Sequence, residues 1–385
     1  MSKLVADNPN IEITEIPIHS QEWYDYRRSG IGSSENGSLL GLTDYPHSSI
    51  MDVFQRKIGK DPGVYETGEK AFHGTHGEPW IYECWQHWDG EELGYINNFE
   101  SGNKIRTADY HGVKDKYYRN KKYPWLFTSS DGLINPGQVD MITGEVREHY
   151  GCLEIKRPAS RYLYTFDNGI PPYYYFQVHQ EMLIFETDYA EIAMLIDGYK
   201  FELIPVEFNQ RMADIVLEST ERFWKDRVVP ATKLINKITQ LESKGEHVEA
   251  QELIAELHRL EPDADSTESY KHFLSHSAQQ KEEEVAMQGD MDMWGKATKY
   301  KVIGEVVKKL TEYKRLLENQ MRKFMLDNDV NKIHFDDDGY FRAFYKKGSE
   351  GKTTFDNRIK ANLVPKEIER IVQVITKEID GYGQA

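Results

Sequence analysis

The 385-residue chain sets 48 Lys and Arg against 64 Asp and Glu, a formal charge of −16, with 39% hydrophobic and 12% aromatic residues. That is enough apolar material for one large domain or two to three smaller ones, while no apolar run approaches the length of a membrane span and residues 1–10 offer no secretory signal. Two cysteines, Cys84 and Cys152, exclude a four-cysteine metal site and fit a reducing, cytoplasmic setting. The acidity argues against a uniformly basic surface for polyanions. It is unevenly spread, however: residues 291–385 hold 19 Lys and Arg against 15 Asp and Glu, and residues 230–290 hold 6 against 13. Affinity for phosphate depends on local patches rather than on the total, so the charge counts against nucleic-acid binding without excluding it.

Residues 1–229, with their aromatics, glycines and short apolar runs, predict a mixed α/β core. Within it, Gly74-Thr75-His76-Gly77-Glu78-Pro79 precedes a helical run with Trp80, Ile81, Cys84, Trp85 and Trp88, and Pro79 suits the first turn, leaving Glu78 near a helix N-terminus. Lys114, Lys116, Arg119, Lys121 and Lys122 interleave with Tyr117, Tyr118, Tyr123 and Trp125; such a stretch either meets a nucleic-acid backbone or packs its aromatics inward. Phe127 to Ile134 reads as a strand interrupted at Asp131-Gly132, followed by a turn at Asn135-Pro136-Gly137. Cys152 to Lys156 is a second strand, stopped by Pro158, on which Glu154 and Lys156 share one face and Leu153 and Ile155 the other. The long gap between Asp131 and Glu154 suggests an enlarged hairpin carrying Asp140, Glu145 and Glu148. Pro171-Pro172 then opens a helix through Phe185, with Val178, Met182 and Phe185 on its apolar face and Gln177 and Glu181 four apart on another.

Residues 230–290 form a second region: a charged helical hairpin over Thr232 to Leu260, broken near Gly245 and closed by Pro262, then an acidic Ser/Gln-rich segment from Asp263 to Asp290 expected to be partly flexible. Residues 291–385 form a third, with a long amphipathic helix over Lys299 to Leu326, a hairpin at Lys332 to Lys346 around Asp336–Gly339, and a closing helix near Pro365 to Ile379.

A carboxylate beside an ammonium suits phosphodiester hydrolysis: the carboxylate holds a hard cation and the amine orients water and offsets phosphoryl charge. Taken alone, Glu154 and Lys156 read better as a surface ion pair on an edge strand, and Asp131 as a turn former. Together, two carboxylates side by side would repel, and a bound cation is the simplest reason for them. His73 and His76, flanking Glu78, are open to metal ligation or to a plain helical role.

The ordered motifs G-x-x-x-E (Gly74, Glu78), S-x-D-G (Ser129, Asp131, Gly132), L-E-I-K-x-P (Leu153 to Pro158) and Q-x-x-x-x-M (Gln177, Met182), together with the opening Trp23…Arg27…Gly30-Ile31-Gly32-Ser33-Ser34-Glu35, resemble the lambda exonuclease and YqaJ family of viral recombination nucleases, within the PD-(D/E)XK superfamily. The resemblance covers roughly residues 20–200. It implies a restriction-endonuclease-like core with a mixed sheet flanked by helices, and a metal-dependent 5′-to-3′ exonuclease that leaves 3′ single-stranded tails on linear double-stranded DNA for phage-type recombination. Two Mg²⁺ or Mn²⁺ ions are implied, held by Asp131, Glu154, the Ile155 carbonyl and Glu78, with Lys156 and Gln177 arranging the attacking water. Arg27 (or the adjacent Arg28) and Ser34 match positions that grip a 5′-phosphate. A single-strand annealing protein of the Beta or RecT type and a trimeric ring are the implied partners, with no membrane. The alternatives are an endonuclease or RecB-like nuclease on the same core, or a partner-docking protein that uses the nuclease core as a scaffold.

Overall fold

A computed structural model describes residues 8–60, 69–111, 115–163, 170–279, 288–334, 339–345 and 353–359. The chain divides into two compact units, 1–282 and 283–385.

In the first unit the elements run β1 (Ile11–Glu15), α1 (Gln21–Arg28), β2 (Ile31–Gly32), a 3₁₀ turn (Ser33–Glu35), α2 (Asn36–Leu39), α3 (Ile50–Lys57), α4 (Glu69–His87), α5 (Glu92–Ser101), β3 (Ala108–Tyr110), β4 (Lys116–Asn120), β5 (Leu126–Phe127), β6 (Gly132–Ile134) and β7 (Gly151–Lys156). They continue with α6 (Ser160–Leu163), α7 (Pro172–Phe185), β8 (Tyr189–Ile196), β9 (Lys200–Glu207), α8 (Gln210–Phe223), a π turn (Trp224–Val228), α9 (Val229–Ser243), α10 (His247–Leu260) and α11 (Glu268–Gln279). Five strands form the main sheet in the order β3-β6-β7-β8-β9, antiparallel except for the parallel pair β7–β8. Parallel neighbours need a crossover, and α7 supplies it.

The alternation expected of β7 is met. Leu153 and Ile155 pack on one face of the sheet with Ile81, Cys84 and Trp85 of α4, while Cys152 joins Val178 and Met182 of α7 on the other. All eight residues of β8 are buried, as befits a strand covered on both faces. Two glycines let the N-terminal segment approach this core. A Cβ on Gly30 would stand 2.8 Å from the Trp125 carbonyl, where β2 pairs in parallel with β5, and a Cβ on Gly37 would stand 2.8 Å from Tyr173 at the start of α7.

In the first unit the structure departs from the sequence reading at α4 and in the segment after Pro262. Helix α4 begins at Glu69, so Pro79 lies inside it and Glu78 in its body rather than near its N-terminus. The apolar run Ile81, Cys84, Trp85 anchors the helix on the sheet, and upstream Phe72 and His76 stack at 4.0 Å one turn apart, so the helix persists past the donor that Pro79 lacks. The acidic segment after Pro262 contains α11. Thr267 Oγ1 accepts from the Tyr270 amide at 3.1 Å, and Tyr270 is buried among the core residues. The predicted hairpin of 232–260 is α9 and α10, with Gly245 at φ +79 between them.

The second unit holds α12 (Met291–Asp327) and a three-stranded antiparallel sheet, β10 (Lys332–His334), β11 (Gly339–Tyr345) and β12 (Thr353–Ile359). β10 and β11 are the expected hairpin, and β12 is a strand the sequence reading lacked. The helix expected near 365–379 lies outside the described residues. Among the described residues, no helix is long and apolar enough to cross a membrane.

Candidate active site

Asp131 directly precedes β6, whose first residue Gly132 pairs with Leu153 of β7. That register sets Asp131 alongside the next residues of β7, and its Oδ2 accepts the Ile155 N–H at 2.7 Å. Asp131 and Glu154 are both buried, at 1% and 2% exposure. On the same face, Lys156 Nζ lies 2.5 Å from Glu154 Oε1 and 3.1 Å from Gln177 Oε1, and 5.1 Å from the centre of the Tyr174 ring. Burial alone would lower the Lys156 ammonium, but Glu154, Tyr174 and Asp131 outweigh it and hold it above the usual lysine range. It is therefore a cation at neutral pH.

Gln177 turns its other end, Nε2, to Glu181 Oε1 at 3.4 Å. Glu181 is fully buried and also faces Ser33 Oγ at 3.2 Å and Thr128 Oγ1 at 3.4 Å. Burial, then the charges of Glu154 and Asp131, push its carboxyl well above the usual range, against the pull of Lys156. Three carboxyl groups and one ammonium thus share a buried neighbourhood, an excess of negative charge that hard divalent cations suit through oxygen ligands. The oxygen donors of Asp131 and Glu154 fit such an ion.

Glu78, 9% exposed in α4, belongs to a helix that packs against β7 and β8. Among the described residues, no three His, Cys, Asp or Glu side chains converge as one metal centre, so Glu78 is not drawn into a cluster with Asp131 and Glu154. His76 Nδ1 bonds the Phe72 carbonyl at 2.8 Å, the plain helical role. Arg157, at the end of β7, donates to the His73 carbonyl at 3.0 Å and ties the two elements together. Asp140 in the long hairpin caps the amides of Ile142 and Thr143 and pairs with Arg147, which makes it a loop-forming residue. Tyr117 and Tyr118 are buried, so the basic-aromatic stretch packs these aromatics inward; Lys114 lies outside the described residues.

A second constellation surrounds the 3₁₀ turn. Ser34 is exposed there, while Glu35 is buried and accepts Gly32 N–H at 2.8 Å and Lys57 Nζ at 2.6 Å, with Arg56 Nε at 3.9 Å. Lys57 also donates to the Arg27 carbonyl at 2.7 Å. Burial would raise Glu35, but Lys57, Arg56 and Arg27 hold it below its usual range; burial brings Lys57 down to about 8 despite Glu35. The Arg27 guanidinium lies 4.9 Å from the centre of the Trp23 ring and its charge reaches Glu35 and Tyr117, whereas Arg28 pairs with Asp25 at 3.2 Å. Helix α7 joins the two constellations: Gln180 Nε2 donates to the carbonyls of Ile31 and Phe127, both at 2.9 Å, and its Oε1 accepts from Asn36 at 2.9 Å.

Sequence reasoning assigned no role to Glu35, Lys57, Gln180 or Glu181. Glu35 was visible only as a letter of the opening motif, and Glu181 only as the helical neighbour of Gln177. Lys57 carried no signal, because its partner lies on a different element.

Residues 22–190, the segment that builds this site, match the model of the YqaJ-like viral recombinase domain, so the resemblance read from the motifs holds over that part of the chain. An uncharacterized protein YqaJ of Bacillus subtilis (strain 168) is 26% identical over 211 residues, 54% of this chain and 56% of that relative; the match thus spans little more than half of the curated relative's length. Among solved structures, an alkaline exonuclease from Laribacter hongkongensis aligns over 60% of this chain and 100% of its own, at 16% identity and a TM-score of 0.37, as does the same enzyme in complex with dAMP.

Proposed function

We propose that the chain is a divalent-metal-dependent deoxyribonuclease that degrades linear double-stranded DNA from its ends, from 5′ to 3′, leaving 3′ single-stranded tails for recombination. The observation that carries this reading is the ammonium of Lys156 fixed between Glu154 and Gln177, beside the buried carboxylate of Asp131. Asp131, Glu154 and the carbonyl of Ile155 would hold the principal ion, Mg²⁺ or Mn²⁺. Asp131 and Glu78 would serve a second, Glu78 directly or through water. A bound divalent cation would supply Lewis-acid polarisation of the phosphate and a more acidic bound water.

The chain's own groups do the rest. Lys156 has three N–H donors; two are committed to Glu154 and Gln177, and the third is available to orient the attacking water or a phosphoryl oxygen as negative charge develops. Gln177 fixes the direction of that ammonium. Arg27, with the exposed Ser34, would grip the terminal 5′-phosphate through its planar fork; Arg28, already paired with Asp25, is the less suitable of the two. An annealing protein as partner and a trimeric assembly are what the family resemblance adds.

The test is digestion of end-labelled duplex, linear against circular, with Mg²⁺, Mn²⁺ or EDTA. Wild-type protein should degrade linear DNA only with metal present. Asp131→Ala and Lys156→Ala should each lose at least about a hundredfold of the rate while keeping the wild-type circular dichroism spectrum. Wild-type rates from either variant in excess Mg²⁺ would remove the assignment, and cutting of closed circles would replace the exonuclease with an endonuclease.

A further inference from the structure

Glu181 has no task in the mechanism above, yet it is the fully buried acid at the junction of both constellations. Its Oε1 faces Ser33 Oγ at 3.2 Å, Thr128 Oγ1 at 3.4 Å and Gln177 Nε2 at 3.4 Å; the two hydroxyls share a hydrogen bond at 2.9 Å, so one of them donates to Glu181 beside Gln177, and Oε2 has no hydrogen-bond partner among the described residues. The consequence lies in Gln177. A primary amide has a donor end and an acceptor end, and which end faces which neighbour is decided by the partners on either side. Here Oε1 faces the Lys156 ammonium and Nε2 faces Glu181. Turned over, the amide would set its NH₂ group against the ammonium, donor against donor, and its oxygen against the Glu181 oxygen.

We infer that Glu181 is a positioning residue: its oxygen locks the Gln177 amide in the one orientation that presents an acceptor to Lys156, and through Ser33 it ties that amide to the turn carrying Ser34. This rests on the reading of Lys156 as the lysine of a nuclease site. The role asks for an acceptor, not for a charge. An amide at 181 offers the same acceptor. A thioether of similar length does not.

The experiment compares Glu181→Gln, Glu181→Met, Gln177→Leu and the double variant Gln177→Leu/Glu181→Met in steady-state digestion of 5′-phosphorylated linear duplex with Mg²⁺, alongside wild type and Lys156→Ala. Glu181→Met should lower kcat about tenfold or more with KM changed far less, as loss of an outer partner of a catalytic group does. Glu181→Gln should recover most of kcat. On the Gln177→Leu background, Glu181→Met should cost little further, because groups acting as one unit are not additive. Thermal melting of every variant, with digestion assayed well below the lowest Tm, separates this from misfolding; if Glu181→Met fails to fold, Glu181→Ala is read in the same way. Wild-type kcat from Glu181→Met in a preparation whose Lys156→Ala is inactive overturns the inference and leaves the nuclease reading standing. So does a full additive loss on the Gln177→Leu background, or a Glu181→Gln enzyme as impaired as Glu181→Met. No metal-stimulated digestion by wild-type protein defeats the nuclease reading itself.

Discussion

Lys57 and Glu35 show how one buried ion pair can hold a tight turn in shape. Lys57 Nζ reaches Glu35 and the last-turn carbonyl of Arg27 at once, so the same ammonium fixes the 3₁₀ turn and the end of α1. Its folded value of about 8 lies below the 10.5 of a free lysine, which means that the native state holds this proton less tightly than the unfolded chain does. Between about 8 and 10.5 the unfolded chain therefore binds more protons, and the Lys57 contribution to stability rises with pH through that window. Below 8 the cost of carrying the buried charge is present in full. The stability advantage of wild type over Lys57→Met should accordingly widen by about 1–2 kcal/mol between pH 7 and pH 9.5, read from urea midpoints of both proteins. A difference that stays flat or narrows would contradict this account. At this scale strand alternation, a local rule, made legible only that Glu154 and Lys156 share a face; Asp131 and Gln177 were singled out beside them by the resemblance of the ordered motifs, and the fold brings these four into one neighbourhood. Lys57 and Glu181 were not, since each acts through a partner on another element, Glu35 in one case and Ser33 and Thr128 in the other, and neither periodicity nor spacing encodes such a meeting.

Among the elements, α4 is where local rules mislead. Proline at the head of an apolar run is an ordinary helix start, yet here the helix carries on through it for ten residues upstream, from Glu69 to Glu78. What decides is tertiary: Ile81, Cys84 and Trp85 seat the helix on the sheet, and Arg157 holds the His73 carbonyl from the end of β7. The proline still costs one backbone hydrogen bond and crowds the preceding turn. Pro79→Ala should restore the bond to the Thr75 carbonyl and stabilise the protein by about 1–3 kcal/mol, measured by urea unfolding. If it destabilises instead, packing of the ring outweighs the hydrogen bond it forgoes. Some strands were legible and others, β8 and β9 among them, were not named. β7 alternates as its sequence demands, and β10 and β11 form the expected hairpin, whereas α11 escaped notice because its start depends on the Thr267 cap and on burial of Tyr270 rather than on an apolar period.

For the whole molecule, the question is how a chain of charge −16 would engage the DNA proposed as its substrate. The division into units offers an answer. The residues of the three hydrophobic clusters, both constellations and the segment matched by the family model all lie before residue 282, while residues 291–385 carry 19 Lys and Arg against 15 Asp and Glu. Site acidity, which a bound cation would offset, and general phosphate affinity can thus be divided between the two units. A chain ending at Glu282 should keep a cooperative unfolding transition and metal-dependent digestion of linear duplex, because it loses none of those core and site residues. It should bind DNA more weakly, and its log affinity should fall less steeply with log salt, since fewer Lys and Arg remain to displace counterions. Both slopes are measurable by fluorescence anisotropy on one labelled duplex with the metal replaced by Ca²⁺. An unchanged slope would place the phosphate contacts in the first unit, on residues such as Arg27. A truncated chain that folds but no longer digests DNA would mean that the second unit takes part in holding the substrate at the site.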